Sequence, residues 1–235
     1  MIKLSKRLNT IAGFVPLGTA AADIGTDHAL LPCYLIQEKI SPFAVAVDVS
    51  EGPFQAAQKQ VCSLLLADRV SVRLGNGLEP IEPGEVQTVT IAGMGGASMV
   101  KILNKGSFVV SQLQRIILQP NVAAENIRHW ALENSWNIID EELVLEDERF
   151  YEIIVLEPGY MDIKDDTLLF IGPKLLEKYH ILLVDYLKLQ KRAEQEILTQ
   201  LEKSNSQGAV KKAAAIKEKW IKVGQVIKCH LNVEI

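Results

Sequence analysis

Residues 22–32 read "ADIGTDHALLP". A short apolar run ends at Asp23, a turn with one glycine follows, and a helix-forming stretch opens behind it. A strand fed through a tight turn into a helix is the opening unit of a parallel α/β sheet, whose ligands lie beyond the carboxyl ends of the strands. A pyrophosphate cofactor needs several glycines there, so that the backbone can approach two phosphates at a helix N-terminus. Only Gly25 is available, with Asp23 and Asp27 on either side. Carboxylates repel phosphate but suit a cationic ligand, such as one carrying an amino group and a sulfonium.

Outward from this turn the chain alternates. "FAVAVDVS" (43–50), "VSVRL" (70–74), "VQTVTIAG" (86–93) and "RIILQP" (115–120) read as short buried strands. Helical stretches at 29–39, 51–67, 97–104 and 123–134 separate most of them. Before the first strand, Leu4, Leu8, Ile11 and Val15 recur at helical spacing, so 3–15 reads as an amphipathic helix. The series predicts a parallel sheet covered on both faces. It closes on "WNIIDEELVLED" and "RFYEIIVLEPG" (136–159), which read as an antiparallel pair at the sheet edge. From 161 on, Leu175, Tyr179, Leu182, Tyr186, Leu189 and Ala193 alternate steps of four and three, the spacing of a coiled-coil seam. "KSNSQGAV" interrupts it, and "KKAAAIKEKWIKVGQVIK" is expected to return antiparallel. The predicted domains are 1–160, an α/β sheet domain, and 161–235, a helical coiled coil.

Composition narrows the class. With 48% hydrophobic residues in a chain of 235, a full core can be buried. Cys33, Cys62 and Cys229 are odd in number and lack C-x-x-C spacing, so neither a disulfide framework nor a metal site is expected. The N-terminal "MIKLSKRLNTIAGF" lacks the apolar core of a signal peptide, and no segment reaches the roughly 18 apolar residues of a membrane span. A cytoplasmic protein without membrane contact is the expectation. The net charge of −4 hides an asymmetry: residues 161–235 hold 13 basic and 10 acidic side chains, and the rest of the chain 12 and 19. The tail's basic excess reads either as a solvated helical surface or as a face for nucleic acid.

Further strand ends complete the first turn. Asp48 closes the second strand, where an acid can accept from both ribose hydroxyls. "GNGL" sets Asn76 between glycines after the third, where an amide could read an adenine edge. "IAGMGG" brings bare backbone close after the fourth. Taken singly, Asp23 and Asp27 could be helix caps, Asp48 a turn residue and the glycines ordinary loop glycines. Together, at successive strand ends, they specify a ligand with adenosine and no phosphate: S-adenosylmethionine.

"LSKRL", "ADIGTDHALLP", "AVDVSEGP", "GNGL", "IAGMGG", "ILQPN", "RHWALENSW" and "FYEIIVLE", in this order over residues 1–160, resemble the bacterial tRNA adenine N1-methyltransferases that modify adenine 22. The resemblance implies a class I methyltransferase core, a Rossmann-like seven-stranded mixed sheet with strand order 3-2-1-4-5-7-6 and helices on both faces, followed by a C-terminal coiled-coil domain. It also implies methyl transfer from S-adenosylmethionine to N1 of a tRNA adenine. One departure stands out: Gln87 occupies a position where the family pattern has an acid. The cofactor contacts are expected at Arg7, Asp23, Gly25, Thr26, Asp27, His28, Ala29, Asp48, Val49, Asn76, Gly77, Ala92, Gly93 and Met94. His28 and Arg7 also have plain structural readings, as an isolated histidine and as a solvated helix residue.

Adenine N1 has an in-plane lone pair, so direct displacement needs alignment more than acid or base help. Gln119, Pro120 and Asn121 are the expected catalytic set, with the two amides bonding the exocyclic amine or N7. Alternatively, Pro120 ends its strand and Asn121 caps the next helix. The expected partner is tRNA, with no obligate protein partner and a monomeric chain whose coiled coil closes on itself. Competing functions are a class I methyltransferase with a different RNA, protein or small-molecule substrate, a nucleotide-dependent oxidoreductase, opposed by the absence of G-x-G-x-x-G, and a non-enzymatic scaffold.

Overall fold

The computed structural model describes residues 2–204 and 206–235. Met1, in the N-terminal stretch, and Asn205, in the break between the tail helices, lie outside the described residues. In chain order the elements are α1 Lys6–Phe14, β1 Ala21–Ile24, α2 Leu30–Gln37, β2 Ala44–Asp48, α3 Glu51–Ser63, β3 Val70–Leu74 and β4 Thr88–Gly95. There follow α4 Gly96–Lys105, α5 Ser107–Val110, β5 Arg115–Val122, α6 Ala124–Glu133, β6 Trp136–Glu146 and β7 Arg149–Pro158. The tail holds α7 Asp166–Ile171, α8 Pro173–Glu177, α9 Leu183–Leu201 and α10 Gln207–Leu231.

The seven strands form one sheet in the order β3-β2-β1-β4-β5-β7-β6, the order the family resemblance implied. β1 to β5 run parallel, and β7 is antiparallel to both β5 and β6. All four residues of β1 and all five of β2 are buried, which is why these strands read as unbroken apolar runs rather than as alternation. Apolar clusters lie on both faces. One gathers Ile24, Val47, Ile91 and Leu118 with Met99, Leu103, Ile127 and Trp130 from α4 and α6. Opposite it, Ile11 and Val15 pack with Leu31, Leu35, Ile117 and Val155.

Gln87 loses nothing for want of a charge. Its Oε1 accepts from the Ala20 N–H at 3.0 Å, a task any carbonyl oxygen performs. Two elements have bounds other than their sequence suggested. β5 continues through Pro120 to Val122, so Pro120 does not end it. Its missing N–H is tolerated because the β5–β7 ladder spans Ile116 to Leu118, and beyond it β4 is the neighbour that pairs with this stretch. α1 starts at Lys6 rather than at residue 3, because Ser5 caps it by accepting from the Leu8 N–H.

The chain divides into one compact unit ending at Asp162 and a second beginning at Ile163. Within the second, α9 and α10 pair in opposite directions: Glu194 holds Lys219 and Trp220, while Glu202, further along α9, holds Lys217. The seam differs from its predicted phase. Tyr179 has φ +52° and is 66% exposed, and the chain turns there between α8 and α9. Leu189 and Ala193 face outward as well, whereas Leu183, Tyr186 and Leu187 are buried. The regular four–three seam is carried by α10, as Ala209, Ala213, Ile216, Trp220, Val223 and Ile227.

Candidate active site

Four strand ends meet at one edge of the sheet and enclose a cavity of about 450 Å³. That suits a nucleoside-sized ligand, since small-molecule sites run from about 300 to 1,000 Å³. Its walls come from the β1 end (Ile24, Gly25, Asp27), the β2 end (Val47 to Ser50, with Pro53), the loop after β3 (Gly75 to Gly77) and the β4 end (Ala92 to Met94), with Ile102 from α4. A larger concavity of about 640 Å³ lies in the tail between α9 and α10. Its three lysines are already engaged, Lys191 by the Ile235 carbonyl, Lys217 by Glu202 and Lys228 by Glu234. It has no convergent set of free polar groups.

The turn after β1 is built on left-handed backbone. Gly25 has φ +78°, and a Cβ there would lie 2.4 Å from Met94 Cε. Asp27 and Ala29 also have positive φ, and Ala29 is the N-cap of α2 without a side-chain cap. Neither Asp23 nor Asp27 therefore caps that helix. Asp23 is 8% exposed and accepts from the buried Thr90 hydroxyl at 2.7 Å. Burial raises its pKa above the ordinary carboxylate value and the nearby Asp48 charge adds to this, while the Thr90 and Thr26 hydroxyls and the Arg7 charge oppose it. Asp27 is exposed, with its carboxylate 3.6 Å from His28 Nε2, which is itself exposed. The Thr26 hydroxyl is buried beside the Asp23 carboxylate, whose charged form it favours.

Asp48, 9% exposed, accepts from the Ser50 N–H at 2.9 Å and from the Asp27 N–H at 3.4 Å. It thus holds its own turn, as the plainer reading had it, and also ties the first two strand ends together. The next residue, Val49, is 66% exposed and lines the cavity. An exposed valine beside a carboxylate forms an apolar wall with an acceptor at one end, suited to a nucleoside.

β4 ends in a register shift around Gly93, whose φ is +78°. The amides of β5 clamp this bulge from both sides. Gln119, wholly buried, accepts at Oε1 from the Gly93 N–H (3.2 Å) and from Arg7 Nη1. Its Nε2 donates to Asn121 Oδ1 at 3.1 Å, and Asn121 Nδ2 donates to the Gly93 carbonyl at 2.8 Å. The N-cap of α6 is Ala123, so Asn121 does not cap that helix. Arg7 lies over the Tyr151 ring, 5.2 Å from its centroid.

Of the expected cofactor residues, Gly25, Asp27, Asp48, Val49, Asn76, Gly77, Ala92, Gly93 and Met94 line the cavity, and Arg7, Gln119 and Asn121 meet at Gly93. Arg7, Asp23, Thr26, His28 and Ala29 are not part of the lining. Sequence reasoning missed Thr90, Tyr151, Pro53 and Ile102. Thr90 had a signal: in a strand buried on both faces, alternating threonines (Thr88, Thr90) are polar groups that must find partners. Tyr151 had none, since only the packing of α1 onto β7 brings it to Arg7.

A methyl-donor cofactor fits this donor set. Asp27 and Asp48 line the cavity with carboxylates suited to a cationic ligand and to ribose hydroxyls, and the turn after β1 offers only Gly25 where a pyrophosphate would need several glycines. Fold and site together define a class I, S-adenosylmethionine-dependent methyltransferase. The family model for tRNA (adenine(22)-N(1))-methyltransferase matches residues 21–225. The chain belongs to that family. It is 42% identical over 182 residues to the tRNA (adenine(22)-N(1))-methyltransferase of Bacillus subtilis, covering 75% of this chain and 76% of that one. The crystal structure of the B. subtilis m1A22 tRNA methyltransferase superposes with a TM-score of 0.90 at 35% identity, covering 97% of this chain and 100% of the other. A putative tRNA (m1A22) methyltransferase of Streptococcus pneumoniae, solved with S-adenosyl-L-methionine, gives 0.82 at 35% identity, covering 92% and 99%.

Proposed function

We infer that the chain transfers a methyl group from S-adenosylmethionine to N1 of adenine 22 in tRNA, with the sheet unit holding cofactor and base and the helical unit engaging the RNA. The observation that carries this is the convergence of four strand ends on one cavity in a chain of this family. When bound, the cofactor supplies a methyl group on a sulfonium. Asp48 would receive the ribose hydroxyls, Val49 and Gly77 border the adenine, and Asn76 reads its edge. Asp23 and Asp27 supply negative charge for the amino group and sulfonium. Gly25, Thr26, His28, Ala29, Ala92, Gly93 and Met94 complete the contact set. Arg7 has five N–H donors, and those not engaged by Gln119 are suited to the cofactor's carboxylate.

N1 carries no proton, so attack requires alignment and no obligatory base. Asn121 positions the adenine through N7 and the exocyclic amine, Gln119 supports it and Pro120 borders the pocket. The adenine must be unpaired or flipped to expose its pairing edge. Asn121→Ala should lower turnover more than cofactor affinity. Asn121→Asp should not restore it, because a carboxylate cannot donate to N7; single-turnover rates at or above wild type in that variant would favour a general base instead.

The test of the activity is methyl transfer from labelled cofactor to bulk bacterial tRNA, followed by nucleoside analysis. Label in 1-methyladenosine is expected; label in another nucleoside, or none in RNA, overturns the reading. The chain is further read as a monomer acting in the cytoplasm, supported by the α10 seam being covered within its own unit and by no helix among the described residues being long and apolar enough to cross a membrane. Light scattering that gave a dimer mass would remove the first of these.

A further inference from the structure

We propose that Arg7, seated on Tyr151, is a positioning residue for the methyl-accepting base: it fixes which way round the Gln119 amide lies and, through Gln119, which atoms Asn121 presents. The proposal rests on the reading of Asn121 as the residue that faces adenine.

A glutamine amide is nearly symmetric in shape, so its hydrogen-bond partners decide its orientation. Two donors converge on Gln119 Oε1, Arg7 Nη1 and the Gly93 N–H, and together they fill both lone pairs. The amino end is left for Asn121 Oδ1, and Asn121 must then turn Nδ2 to the Gly93 carbonyl. Reversal would set an NH2 group against an N–H and a cation in a position with no exposed surface, where water cannot compensate. The Arg7 bond is charge-assisted and so the stronger of the two constraints.

Arg7 is itself held from below and behind. The Tyr151 ring supports the guanidinium, and Glu146 Oε1 accepts from the backbone N–H groups of Lys6 and Arg7 at the start of α1. With the chain of bonds set, exposed Asn121 keeps one N–H and one lone pair without a partner among the described residues. A free N–H beside a free lone pair is the pattern that bonds adenine N7 and N6 and leaves N1 clear.

The test compares single-turnover methylation of tRNA bearing adenosine or 7-deazaadenosine at position 22. It is run at saturating S-adenosylmethionine, so that any loss of cofactor affinity does not enter. Wild type should be slower on the deaza RNA by about 3- to 10-fold, the worth of one hydrogen bond. In Arg7→Gln the adenosine rate should fall and the deaza penalty shrink toward none, because Asn121 is no longer oriented. Tyr151→Phe keeps the ring and should behave as wild type, while Tyr151→Leu should move toward Arg7→Gln. Should Arg7→Gln fail to fold, Arg7→Lys and Tyr151→Leu carry the same comparison. A wild-type penalty retained in full by the Arg7 and Tyr151→Leu variants overturns the positioning role and leaves the reading of Asn121 intact. No penalty in wild type overturns both.

Discussion

Asp23 is buried at the end of β1, and burial raises its pKa. A folded-state pKa above the unfolded one means that the group's stabilising contribution is full below the unfolded value and lost as pH rises through the folded one. Above the folded pKa the ionised carboxylate therefore costs stability in the protein without ligand, and a cationic ligand offsets that cost. Asp23→Asn should raise the melting temperature at pH values above the folded pKa, and the difference should close as the pH falls through it. Its affinity for S-adenosylmethionine should fall. A variant melting below wild type in that range would mean that the Thr90, Thr26 and Arg7 interactions outweigh the cost of burial. The test of Asp48 is simpler: Asp48→Ala should weaken cofactor binding by about 1 to 3 kcal/mol, the worth of a hydrogen bond to a charged group. Unchanged affinity by calorimetry would remove Asp48 from the site. Both acids were legible because a strand end is marked by where an apolar run stops. Thr90 and Tyr151 were not, because their roles depend on strands and helices that are distant in sequence.

At the scale of elements, the edge hairpin is secured by a buried charge cluster that no local pattern announces. Arg128 of α6 is 1% exposed and donates to Glu141 of β6 and Glu152 of β7. Burial alone would lower its pKa, but the two carboxylates more than offset that and hold it above its usual value. Arg128→Ala leaves two buried carboxylates without their cation and should cost about 3 to 5 kcal/mol, read by urea unfolding. A loss under 1 kcal/mol would show that water reaches the cluster. The antiparallel pairing of this hairpin was readable from two apolar runs. Its turn was less so, because Asp147 and Glu148 both take positive φ without a glycine to signal it. The tail seam was misread in phase for a related reason. Tyr179 and Leu182 continue an apparent heptad across a turn, and amphipathic spacing does not register a turn that carries no glycine or proline.

Across the whole molecule, the division of charge noted in the sequence acquires positions. Between Glu202 and Glu218 lie four lysines and no acid. Lys217 is paired with Glu202, whereas Lys203, Lys211 and Lys212 are exposed and have no carboxylate partner among the described residues. Lys211 and Lys212 stand in the second turn of α10, beyond the first turn in which the helix dipole acts. Exchanging their charge should therefore leave the helix nearly unaffected, which makes them a test of the tail's role. Lys211→Glu with Lys212→Glu should leave the fold intact. Cofactor affinity should be unchanged, since the substitutions lie outside the sheet unit. Binding to tRNA should weaken, and the slope of log affinity against log salt should flatten by about one per lysine that contacts a phosphate. A filter-binding series from low to high salt reads both quantities. Weaker binding with an unchanged slope would assign the loss to repulsion at a distance, and unchanged affinity and slope would mean that the lysines are only a solvated helical face and the tRNA is engaged elsewhere.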